Sequence, residues 1–159
     1  MNDIHRPAIT ALHKKEEDVC IAAKPTLPSK STARPVGETS ILIVEDDEAI
    51  RIGTQMRIAQ KGYQTITAID GWEGWEMATE RLPDLILMDI RMPRMDGLTA
   101  LAKLKQNQRT MAIPVVIVSA SPGDQNNALE SGAEYFLRKP YAHEHLFEIL
   151  STALTQQEN

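Results

Sequence analysis

Three uninterrupted apolar runs constrain this chain more than anything else in it: Ile41-Leu42-Ile43-Val44, Leu85-Ile86-Leu87-Met88 and Pro114-Val115-Val116-Ile117-Val118. Runs this short and this continuous, rich in β-branched and aliphatic residues, read as strands covered on both faces. Segments of helical spacing lie between them. Ile50, Thr54 and Ile58 recur along one stripe, and Lys61-Gly62 ends that helix. Gly53 and Thr54 weaken it locally. Residues 63–68 alternate as a second strand, and 71–81 is a helix with Trp75 and Ala78 on its buried face and Trp72 nearer solvent. A helix over 98–106, a short one over 126–130 stopped by Gly132, a strand over 135–137 and a last helix over 143–154 complete the pattern. Five strands alternating with five helices predict an α/β fold, a parallel sheet wound on both faces.

The bulk numbers agree with one such domain. The chain has 159 residues, 42% hydrophobic and 25% charged, which describes an ordinary soluble protein with room for one real core. Its formal charge of −5 leaves no Lys/Arg surplus to displace counterions from phosphates, so no nucleic-acid partner is expected. Cys20 stands alone and cannot form an internal disulfide, which favours a reducing cytoplasm. No run approaches the roughly 20 apolar residues of a membrane span, and no signal-peptide core opens the chain. Residues 1–39 differ in character, with Pro7, Pro25, Pro28 and Pro35 and few large apolar side chains. They read as an N-terminal extension, linker-like from 24 onward, ahead of a domain over 40–156 and a tail of 157–159. Disorder and a partner-bound helix are both open for 8–23. His5 and His13 there have no metal-like spacing.

A parallel sheet of this kind binds ligands beyond the carboxyl ends of its strands. Strand one ends in Glu45-Asp46-Asp47, strand three in Asp89, strand four in Ser119, and strand five leads to Lys139. Three acids crowded at one edge repel one another: unit charges about 4 Å apart interact by about 4 kcal/mol at an effective dielectric near 20. Either one acid keeps its proton or a cation is bound. Hard oxygen ligands without His or Cys favour Mg²⁺. Asp89 is then placed to attack an activated phosphoryl group, while the Lys139 ammonium and the metal offset the transferring charge and Ser119 hydrogen-bonds a phosphoryl oxygen. Taken singly, each residue has a duller reading. Strand-end acids are often helix caps, as Asp47 is expected to be, and Asp96-Gly97 reads as a turn or cap. Ser119 alone is a turn hydroxyl and Lys139 alone a surface charge. His143 and His145, two apart, do not share a helix face.

Taken together, Ile41-Leu42-Ile43-Val44-Glu45-Asp46-Asp47, Met88-Asp89-Ile90-Arg91-Met92-Pro93, Val118-Ser119-Ala120 and Lys139-Pro140 closely resemble the receiver domain of bacterial two-component response regulators. The resemblance covers about 39–154 and implies a flavodoxin-like sheet of strand order 2-1-3-4-5. It implies that Asp89 is the phosphoacceptor, Lys139 the phosphate-binding lysine, Ser119 the switch hydroxyl and Phe136 the aromatic switch. It implies that Mg²⁺ is held by Asp46, Asp89 and the backbone carbonyl of Arg91, and by Glu45 through water. The Lys139-Pro140 bond matches one that is cis in the family. The donor would be a histidine kinase or phosphotransfer protein, and the output a phosphorylation-shifted protein-binding surface of the fourth helix, fifth strand and fifth helix, read by an unknown downstream target. The chain is expected to act as a stand-alone regulator, not as an enzyme with an outside substrate.

Three departures from the family pattern carry expectations. Ser119 and Gly132 are 13 apart, about two residues closer than the family's usual spacing, so the fourth helix should be short or start late after an irregular Ser121-Pro122-Gly123 loop. Phe136 lacks a tyrosine hydroxyl. Arg91 and Ser121 stand where the family tunes hydrolysis, and neither is suited to orient water, so a long-lived phosphoryl group is expected. The competing readings are a receiver-fold scaffold that binds its partner without phosphorylation, and a metal-dependent phosphohydrolase. The latter needs a general acid two residues after Asp89, where Arg91 stands. A nucleotide enzyme would need a Gly-rich phosphate loop after strand one, and none follows.

Overall fold

The apolar runs become the middle of a sheet. The computed structural model describes residues 34–156. After a 3-10 turn at Val36–Glu38 come β1 (Ser40–Val44), α1 (Glu48–Gln60), β2 (Gln64–Ala68), α2 (Gly71–Arg81) and β3 (Leu85–Asp89), then α3 (Gly97–Gln106), β4 (Val115–Ser119), α4 (Asp124–Glu130), β5 (Tyr135–Arg138) and α5 (His143–Thr155). All strand pairs are parallel, in the order β2-β1-β3-β4-β5. This is the flavodoxin-like fold the sequence predicts. β3 and β4 are buried at every residue, whereas the edge strand β2 is half covered, which is why its sequence alternates.

Side chains alternate between two cores, as the strand period requires. Leu42, Val44, Ile86, Met88 and Ile117 face one, closed by Ala78 of α2, Leu101 and Leu104 of α3 and Ala128 of α4. Ile41, Ile43, Leu85, Leu87 and Val116 face the other, closed by Ile58 of α1 and Leu146, Ile149 and Leu150 of α5. The first three helices start on aspartate caps: the carboxylates of Asp47, Asp70 and Asp96 accept from the backbone N–H of Ile50, Glu73 and Thr99 at 2.9, 2.9 and 2.7 Å. Gly62 and Gly132, at φ 94° and 108°, end α1 and α4 in the left-handed conformation that favours glycine.

Three differences from the expectations concern Ile50, the start of α4 and the ends of three strands. Ile50 is 43% exposed while Thr54 and Ile58 are buried, because Ile50, in the first turn of α1, borders the cavity beside Glu45 and Asp89 and not the packed core. As expected, Trp75 packs half-buried on the core and Trp72 lies nearer solvent; their rings are tilted 5.4 Å apart, with the Lys103 ammonium over both. α4 is short, seven residues after the 121–123 loop, and it begins at Asp124, two residues sooner than its pattern indicates. β3, β4 and β5 each run one residue further, so Asp89 and Ser119 are themselves strand residues. The candidate helix over 8–23, with His5, His13 and Cys20, lies outside the described residues. No helix among the described residues is long and apolar enough to cross a membrane.

Candidate functional site

The connection that follows β3 is built to hold Asp89 still. Gly97 donates its N–H to Ile90 O at 2.9 Å, and a Cβ on Gly97 would run into the Asp89 backbone carbonyl. Gly71 packs as closely on Met95 O, so the start of α2 pins the far side of the same loop. Arg94, at φ 62°, pairs with the buried Asp70 carboxylate. This ion pair has no sequence signal, because its partners are 24 residues apart.

At the carboxyl edge the four strand ends converge as the sequence predicts. Oxygen atoms of Glu45, Asp46 and Asp89 lie within 4.8 Å of one another. Lys139 Nζ donates to Glu45 Oε2 at 2.7 Å and stands 3.6 Å from Asp89 Oδ2. Asp89 Oδ1 accepts from the Ile90 N–H at 2.9 Å, and Glu45 Oε1 from the Asp47 N–H at 3.3 Å. Glu45 and Asp89 are buried, whereas Asp46 is exposed. The Lys139-Pro140 bond is cis. Ile50, Thr54 and Tyr141, none of them singled out by the motifs, border a small cavity beside Glu45, Asp89 and Lys139. It holds about 10 Å³, roughly one water and far short of an organic substrate.

The electrostatics follow from burial. Burial pushes the Glu45 and Asp89 carboxyls above their ordinary values, with the nearby Lys139 pulling both the other way. Lys139 is raised too: burial works against its charge, but its hydrogen bond to Glu45 and the charges of Asp89 and Glu45 outweigh that. The side chains explain the asymmetry, since Glu45 is 8% exposed and Lys139 20%, so the carboxylate loses more hydration than the ammonium. One ammonium thus pairs with two of the three acids, and the cluster could hold a metal ion.

Two expected residues, Ser119 and Phe136, are held by partners other than Asp89. The buried Ser119 hydroxyl donates to Asp124 Oδ2 at 2.7 Å and accepts from the Ser121 N–H at 3.2 Å, so its one hydrogen is committed away from Asp89. Phe136, the expected aromatic switch, is fully buried in the core that holds Ile117 and Ala128. The Arg91 side chain is exposed, and its guanidinium stands 3.5 Å from Asp124 Oδ1. Asp124 is the residue that sequence reasoning missed. Its only signal is an acid beside Gly123 at a helix start, five residues after Ser119.

The response regulator receiver domain family matches residues 41–151. The chain is 44% identical over 102 residues to response regulator PleD of Caulobacter vibrioides, a match spanning 63% of this chain and only 22% of PleD. It is 35% identical over 117 residues to polar-differentiation response regulator DivK of Brucella ovis, spanning 72% of this chain and 95% of DivK. Among solved structures it is similar to the receiver domain of sensor histidine kinase PA1611 from Pseudomonas aeruginosa PAO1, with a magnesium ion coordinated in the active site cleft. That likeness has 28% identity and a TM-score of 0.70 over 74% of this chain and 98% of that one. With the strand order, the acid cluster and these matches in agreement, the chain belongs to the response regulator receiver domain family.

Proposed function

We propose that Asp89 accepts a phosphoryl group from a histidine kinase or phosphotransfer protein of the cytoplasm, in a Mg²⁺-dependent step, and that the phosphorylated domain signals by a changed protein-binding surface. The observation that carries this reading is the single cluster of Asp89, Lys139, Glu45 and Asp46 at the mouth of the sheet. In the transfer, the phosphorus–nitrogen bond of a phosphohistidine breaks as a phosphorus–oxygen bond to Asp89 forms, and the imidazole leaves with the electron pair and is then protonated. The Ile90 N–H holds one Asp89 oxygen, leaving Oδ2 on the Lys139 side to attack. Lys139 shifts its ammonium from Glu45 toward the incoming oxygens. The residues fit Mg²⁺: exposed Asp46, Asp89 and the Arg91 backbone carbonyl would hold it directly. Glu45, whose two oxygens already accept from Lys139 and the Asp47 N–H, would act through water. Bound there, Mg²⁺ neutralises charge on the phosphoryl oxygens. Loss of the group is slow, since neither Arg91 nor Ser121 orients a water.

The donor docks along α1, where Ile52 and Met56, four apart and so on one face, are exposed. A small phosphorus–nitrogen donor, phosphoramidate, is expected to label the protein in Mg²⁺ and not in chelator. Ile52→Asp with Met56→Asp should leave that labelling unchanged and slow transfer from a phosphorylated protein donor at least about tenfold, as loss of central interface anchors does. Labelling that ignores chelator, or equal loss with both donors, contradicts the reading.

A further inference from the structure

Ser119 closes β4, its backbone paired with Arg138 of β5, one residue beyond the end of the β3 ladder. Met88 and Asp89 of β3 pair with Ile117 and Val118, and the Lys139 N–H donates to Ser119 O at 2.8 Å. Rotation of its side chain would redirect the hydroxyl, and that side chain is held by the 2.7 Å bond to Asp124. Asp124 is itself nearly buried, and its other oxygen stands 3.5 Å from the guanidinium of Arg91, two residues beyond Asp89. The short spacing to α4 is what brings this carboxylate within reach of Ser119.

We propose that Asp124 is a positioning residue, a latch that holds the Ser119 hydroxyl off the acceptor site until a phosphoryl group on Asp89 takes the same hydrogen. The inference rests on the reading of Asp89 as phosphoryl acceptor. Two anions compete for one O–H donor, and the phosphoryl group, with the larger charge and three acceptor oxygens, wins only by breaking the Asp124 bond. The latch therefore sets a threshold: it lowers affinity for the phosphorylated state by the free energy of the bond that must be exchanged. A plain helix-start role for Asp124 would need neither burial nor a bond to Ser119.

The test compares wild type with Asp124→Ala, Asp124→Asn, Ser119→Ala and the Ser119→Ala/Asp124→Ala double variant. Beryllium fluoride with Mg²⁺ serves as the phosphoryl mimic, with affinity read by calorimetry and folding by thermal melts. Asp124→Ala should bind the mimic at least about tenfold tighter, the scale of a hydrogen bond to a charged group. Asp124→Asn keeps an acceptor and should stay nearer wild type, and the double variant should bind no tighter than Ser119→Ala. Unchanged or weaker binding by a folded Asp124→Ala overturns the latch, as does Asp124→Asn matching Asp124→Ala or tightening that survives without Ser119. Should Asp124→Ala fail to fold, the Asp124 carboxyl carbon resonance of the wild type decides: it should move when the mimic binds, and an unmoved signal overturns the proposal. Binding by wild type with no effect at Asp124 removes the latch alone. A wild type that binds no mimic removes the acceptor reading as well.

Discussion

Asp89→Asn should raise stability at neutral pH by about 1 kcal/mol, the scale of a single favourable substitution, while removing phosphoryl acceptance. Burial raises the Asp89 carboxyl above the 3.8 of its unfolded state, with Lys139 opposing and the Asp46 charge adding to it. Below 3.8 both folded and unfolded chains hold this proton, and the residue costs nothing. As pH rises past that value the unfolded chain ionises first, so stability falls until the folded carboxyl ionises too, and the loss then persists through neutrality. Glu45 acts in the same direction from 4.5 upward. Asparagine keeps the shape without the charge. Urea midpoints of the two proteins should separate at neutral pH and converge below pH 3.8. Added Mg²⁺ should stabilise the wild type more than the variant and narrow the neutral-pH gap. Equal midpoints at neutral pH would mean that holding the Asp89 carboxylate in its buried place costs the fold nothing.

Lys139→Met should slow phosphorylation by about a hundred- to a thousandfold, the usual effect of removing one preorganised charge from the transferring group. Mg²⁺ affinity should hold or rise in the same variant, since a competing positive charge has left the cluster. A collapsed site would lose both, so the pair of measurements separates chemistry from damage. The variant also leaves Glu45, with 8% of its side chain exposed, without its cation. The cost at neutral pH should be about 1–3 kcal/mol, less than for a fully buried pair because Lys139 is partly hydrated and Glu45 can take up a proton instead. Lys139 has a raised pKa in the folded protein, so its stabilisation is complete below the unfolded value of 10.5 and fades as pH climbs past it. The stability gap between the proteins should shrink there, and it should also shrink below 4.5, where Glu45 no longer needs a partner.

The sheet and the acid–lysine cluster are legible in the sequence because both depend on strand identity. β1, β3 and β4 announce themselves as continuous apolar runs, and once they are parallel neighbours their carboxyl ends must meet, bringing Glu45, Asp46, Asp89, Ser119 and Lys139 to one edge. The parts that escaped depend on where elements stop and how side chains turn. Periodicity puts Ile50 in line with Thr54 and Ile58 but cannot say that a cavity beside Glu45 and Asp89, and not the core, lies beneath it. The buried rotamer of Phe136 and the Arg94–Asp70 pair are set by packing across the fold. Asp124 reaches Ser119 through an irregular three-residue loop, whose conformation no repeat encodes.

Intact-protein mass spectrometry with peptide mapping, after incubation with phosphoramidate and Mg²⁺, reads most directly whether Asp89 takes the phosphoryl group. The expected result is one base-labile phosphoryl group on the peptide carrying Asp89, absent from Asp89→Asn. An unmodified wild type, or an adduct that survives in Asp89→Asn, would contradict it.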